Sequence, residues 1–306
     1  MARQAIKSSW CYLRKSAETI QRVGVIGNAE KPAGFRAVSQ AARLISAAGR
    51  DLYSDPVTAR LATLKATLCP DAARLAREVD LLLVFGGDGT ILRVARQIAG
   101  SRTPLLGINT GSLGFLTAVP SDQLPRALAH VWKGEFTFEA RALLGVSGRC
   151  NERPIRENAL NDIVVSRGIV SRLIELDVRV DGDLLTRYRC DGLIVSSPTG
   201  STAYSLAAGG AVVFPTAAVL ALTPICPHTL SNRALILPEG AALDVTVVSP
   251  KLATVLSADG QVVSDLAPGD CIRIGRSRRA VRLMQLAGSS FCETLRRKLY
   301  WRGATI

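Results

Sequence analysis

Short apolar runs alternate with stretches of helical spacing in the first half of the chain. The run 81–85 (LLLVF) has no polar alternation, which is typical of a strand buried on both faces of a parallel sheet. Phe35, Val38 and Ile45 recur at helical spacing after another apolar run. The whole pattern predicts strands over 22–28, 81–85 and 105–109, and helices over 35–48, 91–98 and 124–131. Such repeated strand, loop and helix units predict an open α/β domain, whose ligands bind at the carboxyl ends of the strands.

Beyond residue 136 the spacing changes to a two-residue alternation rich in β-branched side chains, which predicts strands. Asp-Gly pairs at 181–182, 191–192 and 259–260 predict turns between several of these strands. The segment 291–302 returns to helical spacing, and its predicted inward face carries Phe291, Leu295, Leu299 and Trp301. The second half is therefore expected to be mainly β, with one helix at its end.

These patterns together predict two domains. The first is an open α/β (Rossmann-like) domain over 1–135, completed by the terminal segment 283–306. The second is a mainly β domain over 136–282. We expect the C-terminal helix to pack back on the first domain.

Composition excludes several classes of protein. The chain has 306 residues, of which 48% are hydrophobic and 21% charged, which rules out disordered and fibrous proteins. Its 38 Lys and Arg against 25 Asp and Glu give a formal net charge of +13. The densest basic cluster alternates with apolar residues, as on the solvated face of a strand: Arg273, Arg276, Arg278, Arg279 and Arg282. Because the other arginines are scattered, we expect a basic surface that suits anionic substrates, and no nucleic-acid partner.

Cysteine and histidine usage argues against a metal site built from protein ligands. The seven cysteines include no C-x-x-C pair, and His130 and His228 are the only histidines. The cysteines are interpreted as reduced residues, mostly in the core, of a cytoplasmic protein. The start of the chain is basic and faintly similar to a transit peptide, but we interpret it as an ordinary basic extension. The uncharged stretch 192–232 is interrupted by seven Gly or Pro, so no membrane partner is expected.

The first motif with chemical meaning is GGDGT, which lies between a predicted buried strand and a predicted helix. Gly86, Gly87 and Gly89 let the backbone approach a phosphate chain closely, and the N–H groups that begin the helix attract anionic oxygens. Asp88 places one carboxylate where these groups converge, an arrangement that suits phosphoryl transfer. The alternative is a structural tight turn, although an acidic residue among glycines is an unusual choice for one.

The second motif is DGLIVSSPTGSTAYSLAAGG, over 191–210. A predicted strand leads into a loop rich in hydroxyl side chains, and Thr202 is expected to cap a helix that begins at Ala203. Tyr204 offers an aromatic face to a base. The alternative is a Ser/Thr-rich turn that caps a core helix.

In combination with weaker blocks, the sequence resembles the NAD kinases, which phosphorylate NAD to NADP. The blocks stand in the family's order from about residue 23 to 301: GGDGT at Gly86, NTGSLGFLT at Asn109, ALND at Ala159, DGLIVSSPTGSTAYSL at Asp191, PHTLSNR at Pro227, DGQ at Asp259 and LRRKLYW at Leu295. GGDGT alone is shared with lipid kinases and, more loosely, with phosphofructokinases. The PTGSTAYSL block narrows the choice among these families to the NAD kinases.

The resemblance implies a role for particular residues. Asp88 corresponds to the general base that takes a proton from the 2′-hydroxyl of the adenosine ribose of NAD. The residues implied to hold phosphates are Gly86, Gly87, Gly89, Thr90 and Arg93. The residues implied to contact NAD are Asp88, Gly89, Arg93, Asn161, Asp162, Arg172, Arg189, Asp191, Thr202, Ala203, Tyr204, Ser205, Leu206, Ala207 and Gln261. The resemblance also implies that ATP is the phosphate donor, that Mg²⁺ is the divalent metal, and that the β domain binds NAD. It further implies a homodimer or homotetramer.

Three rival functions stay open at this point. A lipid kinase would share GGDGT but should expose an amphipathic stretch that docks on membranes, and none is evident. A catalytically silent NAD sensor would have little use for Asp88. A basic nucleic-acid-binding protein would show a steep salt dependence of DNA affinity.

Overall fold

The structure is a computed structural model that describes residues 19–31, 34–117, 119–168, 172–229, 233–249 and 253–301. The predicted basic extension at the start of the chain lies outside these ranges. The chain divides into two compact units. Unit 1 comprises Met1–Ala140 and Val281–Ile306, and unit 2 comprises Arg141–Ala280.

Unit 1 is built from alternating strands and helices. Its strands are β1 (Arg22–Gly27), β2 (Asp51–Ser54), β3 (Thr67–Leu68), β4 (Leu81–Gly86), β5 (Pro104–Asn109) and β6 (Val119–Pro120). Its helices are α1 (Phe35–Ala47), α2 (Pro56–Leu61), α3 (Ala72–Glu78), α4 (Asp88–Gln97) and α5 (Leu124–Trp132), with a 3₁₀ turn at Ser121–Gln123. The predicted open α/β domain is confirmed.

The sheet of unit 1 is parallel, in the order β5-β4-β1-β2-β3. All six residues of β4 are buried, as its unbroken apolar run predicted. Helix α1 buries Phe35, Val38 and Ile45 against this sheet, and its predicted spacing is confirmed. Because the strands are parallel, the residues that follow β4 and β5 lie at the same edge of the sheet.

The predicted terminal helix is α7 (Phe291–Lys298), which belongs to unit 1 and places Phe291 6.3 Å from Phe115, ring centre to ring centre. Leu295 is buried, as predicted. The prediction for Trp301 was wrong, because the helix ends at Lys298 and the Trp301 side chain is 54% exposed. None of the described helices is long and apolar enough to cross a membrane.

Unit 2 is mainly β, as predicted. Its strands are β8 (Arg153–Ala159), β9 (Asp162–Arg167), β10 (Ile174–Val180), β11 (Asp183–Cys190), β12 (Gly192–Ser196), β13 (Val219–Ile225), β14 (Leu235–Pro238), β15 (Leu243–Val247), β16 (Thr254–Ala258) and β17 (Gln261–Leu266). Two long strands cross the unit boundaries, β7 (Phe136–Cys150) and β18 (Cys271–Leu286). The short helix α6 (Tyr204–Ala207) follows a 3₁₀ turn at Gly200–Thr202.

Two antiparallel sheets share one hydrophobic core inside unit 2. One has the order β14-β13-β12-β9-β16-β17, and the other joins β11, β10, β15 and β18. Leu176 and Val178 of the second sheet belong to the same buried cluster as Leu193 and Val195 of the first. In the basic cluster on β18, Arg273 is exposed between buried Ile272 and Ile274, as predicted, and Arg276, Arg278 and Arg279 are also exposed, whereas Arg282 is half-buried.

Two of the three predicted Asp-Gly turns are tight hairpin turns. Asp181 and Gly182 both have positive φ (51° and 94°) between β10 and β11, and Asp259 and Gly260 do so (47° and 75°) between β16 and β17. This pair of left-handed residues is what a type I′ turn requires. The pair 191–192 also stands between two strands, β11 and β12, but it is not a hairpin turn, because these strands belong to different sheets and neither residue has positive φ.

Candidate active site

The predicted site residues fall into two groups, one in each unit. In unit 1, the GGDGT turn runs from the end of β4 into the start of α4. The helix begins at Asp88, three residues before the predicted start, so that Asp88 lies in its first turn. The N–H groups of a first turn have no acceptor within the helix. The Thr90 N–H donates to Gly87 O at 3.0 Å, so the N–H groups of Asp88 and Gly89 are the ones in this turn that could bind an anion.

The structure explains glycine differently at the three positions of this turn. A Cβ at Gly86 would collide with Thr90, so the fold itself requires glycine there. A Cβ at Gly87 or Gly89 would meet no atom within 4 Å. Packing inside unit 1 does not explain glycine at 87 and 89, whereas close approach of a ligand to the backbone would.

Asp88 is half-buried, and the loop after β5 surrounds its carboxylate. The backbone N–H of Phe115 donates to Oδ2 at 2.7 Å, and the N–H of Leu116 donates to Oδ1 at 3.1 Å. A Cβ at Gly114 would collide with Oδ1. The block NTGSLGFLT, which the sequence supplied only as part of a resemblance, therefore positions the Asp88 carboxylate. Its Asn, Gly and Thr pattern was the one signal that could have indicated this.

Arg93 lies on α4, half-buried, one helical turn beyond the GGDGT loop. Within the described part of the chain, no carboxylate or carbonyl contacts its guanidinium. An arginine of this kind retains all its donors for a ligand.

In unit 2, strand pairing brings two of the weaker motifs, at Asn161 and Asp259, next to the second motif over 191–210. Asp162 pairs with Ser196, and Ile163 pairs with Ala258, so that β9 lies between β12 and β16. The Asp259 carboxylate accepts hydrogen bonds from the N–H groups of Leu160 (2.9 Å), Asn161 (2.7 Å) and Asp162 (3.3 Å). Asp259, which was predicted only as part of an Asp-Gly turn, therefore fixes the backbone of the Asn161-Asp162 pair.

The Asp162 side chain lies in an unusual environment for a carboxylate, because the residue is only 5% exposed. Burial first, and the nearby negative charge of Asp259 second, raise the pKa of Asp162 to about 7. Beside it, Asn161 Oδ1 is buried and has no hydrogen-bond partner within the described ranges. Both groups would gain from a ligand that donates hydrogen bonds.

The hydroxyl groups of the loop 197–202 bond mostly to backbone carbonyls of unit 2. Ser197 Oγ donates to Leu160 O at 2.5 Å, and Ser201 Oγ donates to Pro198 O at 2.8 Å. The prediction that Thr202 caps a helix was wrong, because Gly200–Thr202 forms its own 3₁₀ turn and Thr202 Oγ1 donates to Thr199 O. Helix α6 instead begins after Ala203, without a side-chain cap.

The residues of α6 differ in their exposure. Tyr204 is 47% exposed and Ala207 is exposed, so both are accessible to a ligand, while Ala203 and Leu206 are half-buried. Ser205 is fully buried, and its hydroxyl shares a hydrogen bond of 2.9 Å with Thr223 Oγ1. The Ser205 hydroxyl therefore stabilises the folded structure of unit 2.

Four further predicted NAD contacts lie around strands β11 and β17. Arg189 pairs with Glu175 at 3.2 Å, and Asp191 accepts a hydrogen bond from Arg167 Nε at 2.8 Å. Gln261 is exposed at the start of β17. Arg172 is exposed beside residues 169–171, which lie outside the described ranges.

Glycine at 200 carries a prediction about stability. A Cβ there would collide with the backbone of Asn161, which cannot move as a side chain would. We expect Gly200→Ala to lower the free energy of unfolding by about 1–3 kcal/mol, measured by denaturant unfolding. The matched control is Gly240→Ala, where an added Cβ meets nothing within 4 Å. Equal stability of the two variants would contradict the described packing of the loop.

Comparison with known proteins identifies the family. A family model described as the ATP-NAD kinase N-terminal domain matches residues 23–136, and one described as the ATP-NAD kinase C-terminal domain matches residues 160–286. A NAD kinase of Moorella thermoacetica is 43% identical over 285 residues, covering 92% of this chain and 89% of its own length. A NAD kinase of Cupriavidus pinatubonensis is 41% identical over 254 residues, covering 83% of each chain.

Two solved structures are also similar. Yeast NADH kinase complexed with NADH has a TM-score of 0.85 and 27% identity, covering 94% of this chain and 89% of its own. An NAD kinase from Archaeoglobus fulgidus in complex with ATP has a TM-score of 0.69 and 25% identity, covering 91% of this chain and 97% of its own. The resemblance inferred from the motif blocks is thereby confirmed, and the chain belongs to the NAD kinase family of phosphotransferases.

Proposed function

We propose that the protein transfers the terminal phosphate of ATP to the 2′-hydroxyl of the adenosine ribose of NAD, giving NADP and ADP. Family membership supports the reaction class, and the similar structures contain NADH and ATP, the kinds of molecule this reaction uses. The observation that carries the proposal is the Asp88 carboxylate, held by a loop at the start of α4 beside open glycines.

Asp88 acts as the general base. The 2′-oxygen of NAD forms a bond to the terminal phosphorus of ATP while the bond from that phosphorus to the oxygen of ADP breaks. The proton of the 2′-hydroxyl moves to the Asp88 carboxylate. Because the transition state of phosphoryl transfer is loose, a carboxylate suffices as a late proton acceptor, and most of the rate comes from positioning and charge neutralisation.

Phosphate binding is assigned to the GGDGT turn. The backbone N–H groups at Gly86, Gly87 and Gly89 hold phosphate oxygens, and the open space beside Gly87 and Gly89 lets those oxygens approach. The Thr90 N–H is not assigned this role, because it donates to Gly87 O at 3.0 Å. Arg93 supplies a positive charge from the same helix.

NAD recognition is assigned to unit 2. Asp162 accepts hydrogen bonds from the ribose hydroxyls, and the buried Asn161 Oδ1 accepts one from the adenine amino group. Tyr204 stacks on a base through its exposed ring. The remaining contacts follow the family pattern: Arg172, Arg189, Asp191, Thr202, Ala203, Leu206, Ala207 and Gln261. Ser205 is not assigned a contact, because it is fully buried and bonded to Thr223.

Mg²⁺ is proposed as the divalent metal. The described residues contain no group of three or more His, Cys, Asp or Glu that could hold a metal ion. This fits a metal that is bound mainly by the phosphates of the donor, since Mg²⁺ in nucleotide sites uses one or two carboxylates, waters and phosphates. When bound there, it neutralises charge on the donor phosphates. We further propose a homodimer or homotetramer in the cytoplasm, where the six described cysteines, all unbonded, would stay reduced.

The proposed function is tested by incubating the protein with NAD, ATP and Mg²⁺ and detecting NADP with an NADP-specific dehydrogenase. We expect NADP to accumulate, and to be lost when EDTA removes the metal. Parallel incubations contain diacylglycerol in vesicles instead of NAD. Phosphorylation of the lipid without NADP formation would refute the proposal and favour a lipid kinase. Binding of NAD without turnover would favour a sensor.

A further inference from the structure

Thr117 is fully buried in the loop after β5, and its hydroxyl contacts three polar groups. Asn109 Nδ2 lies 3.1 Å from Thr117 Oγ1, the backbone N of Gly114 lies 3.2 Å from it, and Asp88 Oδ1 lies 3.4 Å from it. All four residues belong to unit 1.

The direction of these hydrogen bonds follows from what each group can do. A hydroxyl has one proton to donate and two lone pairs that accept. The amide nitrogens of Asn109 and Gly114 can only donate, so they occupy both lone pairs of Thr117 Oγ1. The hydroxyl proton is therefore directed at Asp88 Oδ1, over a long hydrogen bond.

The orientation of the Asn109 amide is fixed in the same way. The N–H of Gly111 donates to Asn109 Oδ1 at 2.7 Å, which identifies that atom as the oxygen. The Asn109 Nδ2 group then donates to Ser112 O at 2.6 Å and to Thr117 Oγ1. A chain of oriented hydrogen bonds thus runs from the backbone of the loop to the Asp88 carboxylate.

Within the described residues, these hydrogen bonds leave the Asp88 carboxylate with one free acceptor position. An ionised carboxylate has about four lone-pair sites, two on each oxygen. Among the described residues, Oδ1 accepts from the Leu116 N–H and from Thr117, whereas Oδ2 accepts only from the Phe115 N–H. The remaining site is on Oδ2.

We infer that Thr117, held in place by Asn109, is a positioning residue that orients the Asp88 carboxylate and leaves Oδ2 to receive the proton of the attacking hydroxyl. The inference rests on the proposed function. The proton leaves the 2′-oxygen of NAD and ends on Asp88 Oδ2, while Thr117 keeps its own proton throughout. Because Thr117 is fully buried, we expect its loss to change turnover and to leave binding of NAD nearly unchanged.

The test compares Thr117→Val, which keeps the shape but removes the hydroxyl, with Thr117→Ser, which restores it. We expect Thr117→Val to lower kcat by about 10- to 100-fold, with KM for NAD within about twofold, and Thr117→Ser to recover most of kcat. The matched control is Thr58→Val, a buried threonine of the same unit whose hydroxyl accepts from the Gly27 N–H. It should lose stability but keep kcat per folded molecule, with the folded fraction measured by denaturant unfolding.

The inference is overturned if Thr117→Val has the wild-type kcat per folded molecule, or if Thr117→Ser is as slow as Thr117→Val. In both cases NADP formation by the wild-type protein would still stand. Absence of NADP formation by the wild-type protein would instead refute the proposed function, so the two failures are distinguishable.

Discussion

Asp88→Asn is expected to lower kcat for NADP formation by about 10²- to 10⁴-fold, while the affinity for NAD stays within a few fold. The amide cannot take the proton of the 2′-hydroxyl, so the step loses its base. The shape of the side chain is kept, and the NAD contacts assigned to unit 2 are unchanged. Steady-state kinetics and titration calorimetry with NAD measure the two quantities separately.

A loss of folding must be separated from this loss of catalysis. The NH₂ group of the substituted side chain would face an N–H donor, because the Phe115 and Leu116 N–H groups occupy both oxygens of Asp88. We expect this mismatch to cost about 1–3 kcal/mol of stability, so thermal unfolding accompanies the assay. Asp122→Asn, an exposed carboxylate in the same unit, should leave both activity and stability unchanged. If Asp88→Asn turned over at the wild-type rate, Asp88 would not be the general base.

Asp162→Asn is expected to stabilise the protein at pH 8 by up to about 4 kcal/mol. The pKa of Asp162 is about 7 in the folded protein, whereas an unfolded aspartate titrates near pH ~4. The folded state therefore binds the proton more tightly, and this group lowers stability as the pH rises from about 4 to about 7. Asparagine carries no such cost. Denaturant unfolding of both proteins from pH 4 to pH 8 measures the difference.

The same variant should bind NAD more weakly, by about tenfold or more, because a charged acceptor for the ribose hydroxyls is lost. Stability and affinity are thus expected to move in opposite directions. Asp183→Asn, at an exposed position at the start of β11, serves as the control and should change neither quantity. A stability difference between Asp162→Asn and the wild type that does not grow with pH would contradict the burial of an ionisable Asp162.

Local sequence patterns were sufficient to predict the fold class of each unit. The unbroken run 81–85 indicated a doubly buried strand, and β4 is one. Its position before GGDGT then placed Asp88 at the carboxyl end of a parallel strand, where α/β proteins bind ligands. Period-two alternation likewise predicted the β character of unit 2.

Contacts between distant residues could not be predicted in this way. Asp259 bonds to the backbone of Asn161, 98 residues earlier, and Asp88 bonds to the backbone of Leu116, 28 residues later. Neither contact leaves a periodic signal in the sequence. A role for Asp259 or Thr117 could therefore not be predicted before the strands and loops were placed. The Thr202 cap failed for a related reason, because Gly200 packs on Asn161 and sets the local turn.

Isotope labelling shows directly where the terminal phosphate of ATP goes. The protein is incubated with NAD, Mg²⁺ and ATP labelled with ¹⁸O in its terminal phosphate, and the product is analysed by mass spectrometry. We predict that the label appears in NADP, in the phosphate group attached to the 2′-oxygen of the adenosine ribose, with the 2′-oxygen itself unlabelled, and that NAD lacking this hydroxyl accepts none. Label released only as inorganic phosphate, or found on another position of NAD, would contradict the proposed reaction.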